Sequence, residues 1–259
     1  MKIMATVLAA AFFMAAMPAY AGEDNPSAEN LEHKFSIGAM SRVKPEFEGS
    51  DSYEFSPYPI LEYSNKYFFI STLNGAGINI INMPEIKAGP LVSYRFGRDE
   101  DDSDLLDGLG DVDGGLEVGA FFNWQFHDRL GTEIKFLHGL GDAKGFTADL
   151  AFIYNQPVIE DLTFALKAAA VFSDSKYNQQ YFGITDSQSR RSGYEHYSPG
   201  SGIKHVSIRP GLKYTFFEDY TVGVFYEYKR LTDSVADSSL VKRGSANQSS
   251  AGVSLSWSF

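Results

Sequence analysis

Residues 249–259 read SSAGVSLSWSF. Counting back from the end, Phe259, Trp257, Leu255, Val253 and Ala251 share one parity, and Ser258, Ser256, Ser254, Gly252 and Ser250 share the other. Successive side chains of a β-strand point to opposite faces, so this stretch is a strand with one apolar face and one small, wettable face. A helix would scatter the same residues around its circumference.

The alternation recurs. Leu116, Val118, Ala120, Phe122, Trp124 and Phe126 interleave with Glu117, Gly119, Phe121, Asn123 and Gln125, and Tyr220, Val222, Val224, Tyr226 and Tyr228 interleave with Thr221, Gly223, Phe225, Glu227 and Lys229. The pattern predicts about twelve strands: 33–44, 53–63, 66–73, 76–82, 86–98, 113–126, 129–139, 145–156, 160–172, 201–217, 219–231 and 249–259. The third and fourth are divided at Asn74-Gly75, a hairpin-turn dipeptide. Connections at 64–65, 83–85, 127–128, 157–159 and 218 are short, whereas 45–52, 99–112, 140–144, 173–200 and 232–248 are longer and fall on the opposite side. An outer-membrane barrel has this asymmetry, with short periplasmic turns, long outer loops and an even strand number, and only the Asn74-Gly75 turn departs from it. A soluble β-sandwich has no reason to alternate its connections so regularly. The expected fold is therefore an all-β transmembrane antiparallel up-and-down barrel of about twelve strands.

Residues 1–24, MKIMATVLAAAFFMAAMPAYAGED, combine a charged start at Lys2, an apolar run from Ile3 to Ala16 and an Ala19-Tyr20-Ala21 box. That is the layout of a secretory signal peptide spanning 1–21 and cleaved after about Ala21, which leaves 22–259 as a single barrel domain. The run is shorter than the roughly 20 residues a spanning helix needs. An exported chain without such a helix can cross a membrane only as closed strands, so the expected location is the outer membrane of a Gram-negative bacterium. With no cysteine, the chain has neither a disulfide framework nor a thiolate metal site. Its net charge of −11 argues against nucleic acid or anionic lipid as a partner.

The wettable parity carries Glu54, Glu62, Lys87, Arg95, Glu117, Glu133, Lys135, Asp149, Lys167, Arg209, Lys213, Glu227 and Lys229. Mixed signs in a narrow interior fit a lumen crossed by ion pairs better than an open channel of one dominant sign. Twelve strands enclose more room than eight, so part of the lumen is expected to be wet or filled by a loop.

Chemistry-bearing motifs are few. In GRDEDDSDLLDGLGDVDGG (97–115) the acidic residues crowd together, and Asp107, Asp111 and Asp113, beside glycines, are the first candidates for a divalent cation, although the spacing is not that of an EF-hand. Among the histidines only His205 shares a face and a two-residue spacing with a serine, Ser207, and no G-x-S-x-G or H-E-x-x-H occurs. No catalytic residue and no cofactor are therefore expected. The longest loop, DSKYNQQYFGITDSQSRRSGYEHYSPGSG (174–202), has four tyrosines and an Arg190-Arg191 pair. This composition predicts an ordered loop, either folded into the barrel mouth or presenting a sticky surface outward.

Six segments in order, PEFEGSDSYEFSPYP (45–59), GPLVSYRFGR (89–98), LDGLGDVD (106–113), YFGITDSQSRRSG (181–193), YSPGSGIK (197–204) and RLTDSVADSSLVKRGSANQ (230–248), make the chain resemble the MipA/OmpV family of outer-membrane proteins. The resemblance implies a non-enzymatic barrel embedded in outer-membrane lipid and acting as a scaffold between a murein-degrading lytic transglycosylase and a murein synthase. Other members imply an adhesin or a porin-like protein instead. It further implies that the barrel-assembly machinery reads the last strand, so Phe259, Trp257 and Leu255 are the expected assembly signal. No active-site residue carries over.

Overall fold

The computed structural model describes residues 33–259; the expected signal peptide and its cleavage point lie outside them. Thirteen strand segments form one antiparallel sheet. In chain order they are β1 (Lys34–Pro45), β2 (Tyr53–Ser64), β3 (Phe68–Ser71), β4 (Gly75–Ile78), β5 (Ile81–Asn82), β6 (Ile86–Arg95), β7 (Gly115–His127), β8 (Leu130–Gly139), β9 (Phe146–Ile159), β10 (Leu162–Ser173), β11 (Gly202–Phe216), β12 (Tyr220–Leu231) and β13 (Asn247–Ser258). Both β4 and β5 pair with β6, so they are two pieces of one strand, and the barrel has twelve. The register moves from Gly77↔Leu91 to Ile81↔Ala88, one residue more on the β4/β5 side, which is a β-bulge. Gly89 lies opposite it, where a Cβ would stand 1.7 Å from the Ile78 carbonyl oxygen.

The sheet closes on itself where β13 pairs with β1 from Ser36↔Ser258 to Val43↔Ala251. Beyond that register the Phe35 and Phe259 backbones exchange hydrogen bonds of 3.0 and 2.9 Å. Pairing along this seam removes the edges of the first and last strands, which would otherwise pair with other chains, and satisfies their backbone within the apolar layer. Side chains of the predicted outer parity are exposed: Leu255 and Val253 each at 49%, with Trp257, Leu116, Val224 and Tyr226 alongside. Aromatic rings gather at the turn end, where Trp257 contacts Phe259 at 4.5 Å and Phe35 contacts Phe259 at 5.0 Å between ring centroids. Such girdles hold a barrel at the membrane interface.

Three predicted strands differ from expectation. The third and fourth, read as 66–73 and 76–82, shrink to short segments, and the turn falls at Thr72–Asn74, with Gly75 (φ +80°) opening β4. This hairpin stops partway up the wall and its tip turns inward. Leu73 packs against Met40, Ile60 and Phe225, and the Lys135 ammonium donates to the Asn74 side-chain oxygen at 3.1 Å. The connection that broke the long-and-short rule is thus a plug inside the barrel. The fifth predicted strand, β6 in the structure, ends at Arg95 rather than 98, and Arg98 makes an isolated bridge with Val112.

Candidate functional site

Above the strands the long connections fold into a cap. The 174–201 connection carries two helices, α1 (Ser175–Phe182) and α2 (Asp186–Ser192), and the 232–246 connection carries α3 (Asp233–Ala236) and α4 (Ser239–Arg243). Local chemistry sets their starts. The Asp174 carboxylate accepts the Tyr177 N–H at 2.8 Å, and Thr185 with Gln188 forms a capping box at α2. Gly193 (φ +72°) ends α2 in the left-handed region. An apolar core inside the cap joins four connections: Phe47, Leu106, Leu109, Ile184, Tyr194 and Leu240. Leu106, Phe182 and Ile184 are fully buried. The 99–113 segment is stitched to α2 through Gly108, whose positive φ of +81° suits glycine and where a Cβ would stand 2.7 Å from the Ser192 nitrogen. The 174–202 segment is therefore ordered, as its composition predicts, and its tyrosines serve the cap: Tyr177 and Tyr194 are buried, and Arg243 lies 4.0 Å over the Tyr194 ring.

Beneath the cap the lumen is laced with ion pairs. Lys167 meets Glu133 at 2.5 Å, Arg209 meets Glu227 at 2.8 Å, and Arg95 pairs with Glu117. These are lumen charges of the predicted parity, paired as mixed signs in a narrow interior require. A further cluster was not legible from alternation. Glu48, in the β1–β2 connection, accepts from Lys204 at 3.0 Å and Lys229 at 3.3 Å and faces His205 Nδ1 at 3.4 Å. Lys204 also donates to the Tyr177 hydroxyl at 3.1 Å, and the Tyr177 ring lies between Arg95 (4.5 Å) and Lys204 (4.8 Å). Burial raises the Tyr177 hydroxyl well above its ordinary range, so it stays neutral among these charges.

Lys204 reaches the lumen through a bulge. The β10–β11 register runs Val171↔His205 and then Phe172↔Ile203, so Lys204 is the extra residue, and both Lys204 (2% exposed) and His205 (1%) are buried inside. Strict alternation would have sent Lys204 into lipid beside Val206 and Ile208; that conflict is the signal from which the bulge could have been read. His205, weighed above with Ser207, belongs to the Glu48 cluster.

Between cap and plug lies a chamber of about 440 Å³. Leu73, Leu91 and Leu137 form its apolar floor, and its polar wall includes Arg42, Lys135, Asp149 and Lys229. Basic and acidic side chains line it in equal number. Phe121 and Phe69 close the space under the floor, Phe121 at 4% exposure.

Of the candidate cation ligands, Asp111 accepts the Glu100 N–H at 2.8 Å. Asp107 and Asp113 lie in the same 99–113 segment, and among the described residues no group of three or more His, Asp or Glu side chains is arranged to hold a metal ion. Burial, with Asp102 and Asp111 nearby, raises the Asp99 carboxyl. Phe259, Trp257 and Leu255 stand on the outer face of the closing strand.

Comparison with known proteins places these features in a family. The model of the family described as MltA-interacting protein MipA matches residues 37–259. The MltA-interacting protein of Escherichia coli K12 is 25% identical over 234 residues, 86% of this chain and 90% of that protein. "Putative outer membrane protein YiaT" of the same organism is 27% identical over 139 residues, 52% of this chain; the match spans about half that relative's length, 54%. Among solved structures, the NanC porin aligns with 11% identity and a TM-score of 0.45, over 86% of this chain and 98% of that one. An outer membrane channel from Pseudomonas putida F1 aligns with 10% identity and a TM-score of 0.47, over 92% and 100%. With a family model matched from the first strand to the last residue, the chain belongs to the MipA family of outer-membrane β-barrel proteins.

Proposed function

We propose that this barrel acts without catalysis, as a scaffold that binds a murein lytic transglycosylase, and through it a murein synthase, at the periplasmic rim. The observation that carries this reading is the relationship, over 86% of the chain, to a protein whose name states that it interacts with MltA. The turn end supplies a docking feature. Phe217 and Glu218 take left-handed φ values of +50° and +66°, a conformation costing about 1–2 kcal/mol per residue outside glycine. The turn so formed holds Phe217 82% exposed beside Glu218 and Asp219. An exposed aromatic on a rigid hairpin is the kind of side chain that anchors an interface.

Chemical cross-linking of envelopes followed by affinity capture tests the proposal. Recovery of a transglycosylase with the wild type, and its loss with Phe217→Ala at unchanged barrel levels, is the expected result. Capture of neither a transglycosylase nor a synthase by the wild type would contradict it.

A second reading, a ligand-binding barrel, is favoured by the chamber beneath the cap, which combines an apolar floor with charged walls. Adhesion through the outer loops has less support, because the aromatic side chains that would make those loops sticky are consumed in the cap.

A further inference from the structure

The barrel wall is incomplete on the loop side. Along β2, Leu61 bonds the hairpin, with the Thr72 N–H donating to its carbonyl at 3.0 Å, and Glu62–Ser64 pair with β3. From Pro59 back to Tyr53, β2 has β1 on one side and, among the described residues, no strand on the other. On the facing side, β6 pairs with β4 as far as Val92, while Ser93–Arg95 pair with β7 alone. The inward fold of the hairpin therefore leaves a slot between β2 and β6, floored by residues 72–74 and roofed by the cap.

Three observations say what this slot is for. First, its β2 edge is proofed against strand addition. Leu61 and Pro59 both direct their polar backbone atoms to this side, Pro59 accepting from the Thr72 hydroxyl at 3.0 Å, so Pro57 shares that side and both prolines remove a donor from it. An added peptide strand would lose two hydrogen bonds here. Second, the chamber runs through the slot: its lining joins lumen residues such as Arg42 and Lys135 to Phe55 and Pro57, which share the outward parity of β2, and to Phe96 across the gap. Phe55 is 68% exposed on the lipid-facing side. Third, polar atoms in the chamber wall lack partners. Ser93, 4% exposed and on the β6 edge of the slot, has a buried hydroxyl without a hydrogen bond, and so does Asp149 Oδ1. Buried polar groups without partners are rare, and both residues line the chamber.

We propose that the slot is a lateral portal through which a single-chain amphiphile passes from the outer leaflet into the chamber. Its apolar tail lies across Phe55, Pro57 and Phe96. Its head reaches the chamber, where Ser93 and Asp149 offer hydrogen-bonding groups and the equal numbers of positive and negative side chains suit an uncharged or zwitterionic head better than a polyanion. The route is independent of any partner at the periplasmic rim.

The natural chain has no cysteine, so one introduced thiol reports alone. Ser93→Cys protein in phosphatidylcholine vesicles is treated with N-dodecylmaleimide, which partitions into the bilayer, and separately with a sulfonated maleimide confined to water; outward-facing Val92→Cys gives the reference rate for the first and Asp101→Cys, exposed on the cap, for the second. The portal predicts that N-dodecylmaleimide labels Ser93→Cys within about tenfold of the reference, the sulfonated reagent at least about tenfold more slowly, and that added dodecylphosphocholine slows lipid-side labelling by about tenfold. Faster labelling from water would overturn the proposal, because the chamber would then open upward. So would no labelling from the lipid side, or no protection by dodecylphosphocholine. If Ser93→Cys does not fold, Ser56→Cys on the inward face of β2 carries the same predictions.

Discussion

A carboxylate held by Lys204 and Lys229 ties the β1–β2 connection to two strands a quarter of the barrel away. Burial alone would raise the Glu48 carboxyl, but Lys204, Lys229 and His205 outweigh it and hold it well below the usual carboxylate range. Removing one member of a buried ion cluster leaves the others uncompensated, so Glu48→Gln should cost about 3–5 kcal/mol, read as a lower urea midpoint for protease protection of residues 174–201. The sign of the pH effect follows from the lowered value. A depressed carboxyl contributes its full stabilisation above its unfolded value, about 4.3, and loses it as pH falls toward the folded one. Protection of the cap amides, taken relative to the intrinsic exchange rate at each pH, should therefore be unchanged from neutral pH to about 5 and fall only below about 4, and Glu48→Gln should abolish that acid step. None of this was legible in the sequence. Glu48 sits in a loop with no period, and Lys204 violates its strand's alternation until a bulge turns it inward. Both depend on tertiary partners more than 150 positions away in the chain.

Each element shows a different balance between local and tertiary causes. The last strand is written almost completely in its own residues, because lipid on one side and lumen on the other impose a strict period of two. Leu255→Arg should cost about 2–4 kcal/mol if it lies near the bilayer midplane, and Ser254→Arg less, as measured by folding into vesicles from urea. Deleting Phe259 should chiefly reduce the amount assembled, read by heat-modifiable mobility of outer-membrane fractions, since the deletion removes only the last rung of the β13–β1 seam. The cap obeys a globular rule instead. Leu106 is fully buried there, and Leu106→Ala should destabilise it by about 2–5 kcal/mol while leaving the strands intact, seen as surface proteolysis of an otherwise heat-modifiable barrel. Order in the 174–202 segment was readable from its tyrosines, but the partners of those tyrosines lie in three other connections. The hairpin was misread for a similar reason. Asn74-Gly75 announces a turn, and nothing local says that the turn faces inward.

At the scale of the molecule, alternation, the even strand count and the division of connections into short and long decide a membrane barrel before any contact is known. The same signals leave the inside open. Parity places charges in the lumen but cannot show that Leu73, brought in by an inward hairpin, packs on Phe225 across it, or that four connections share one apolar core above it. Those two features make the barrel a closed chamber with a side opening, and they set its transport behaviour. An unplugged twelve-stranded barrel would conduct ions continuously, whereas cap and plug together block the axis. Single-channel recording of the purified protein in planar bilayers tests this most directly: the structure predicts no large, steady open level, with at most brief, weakly selective events. A large, stable conductance would contradict both the inward hairpin and the packed cap.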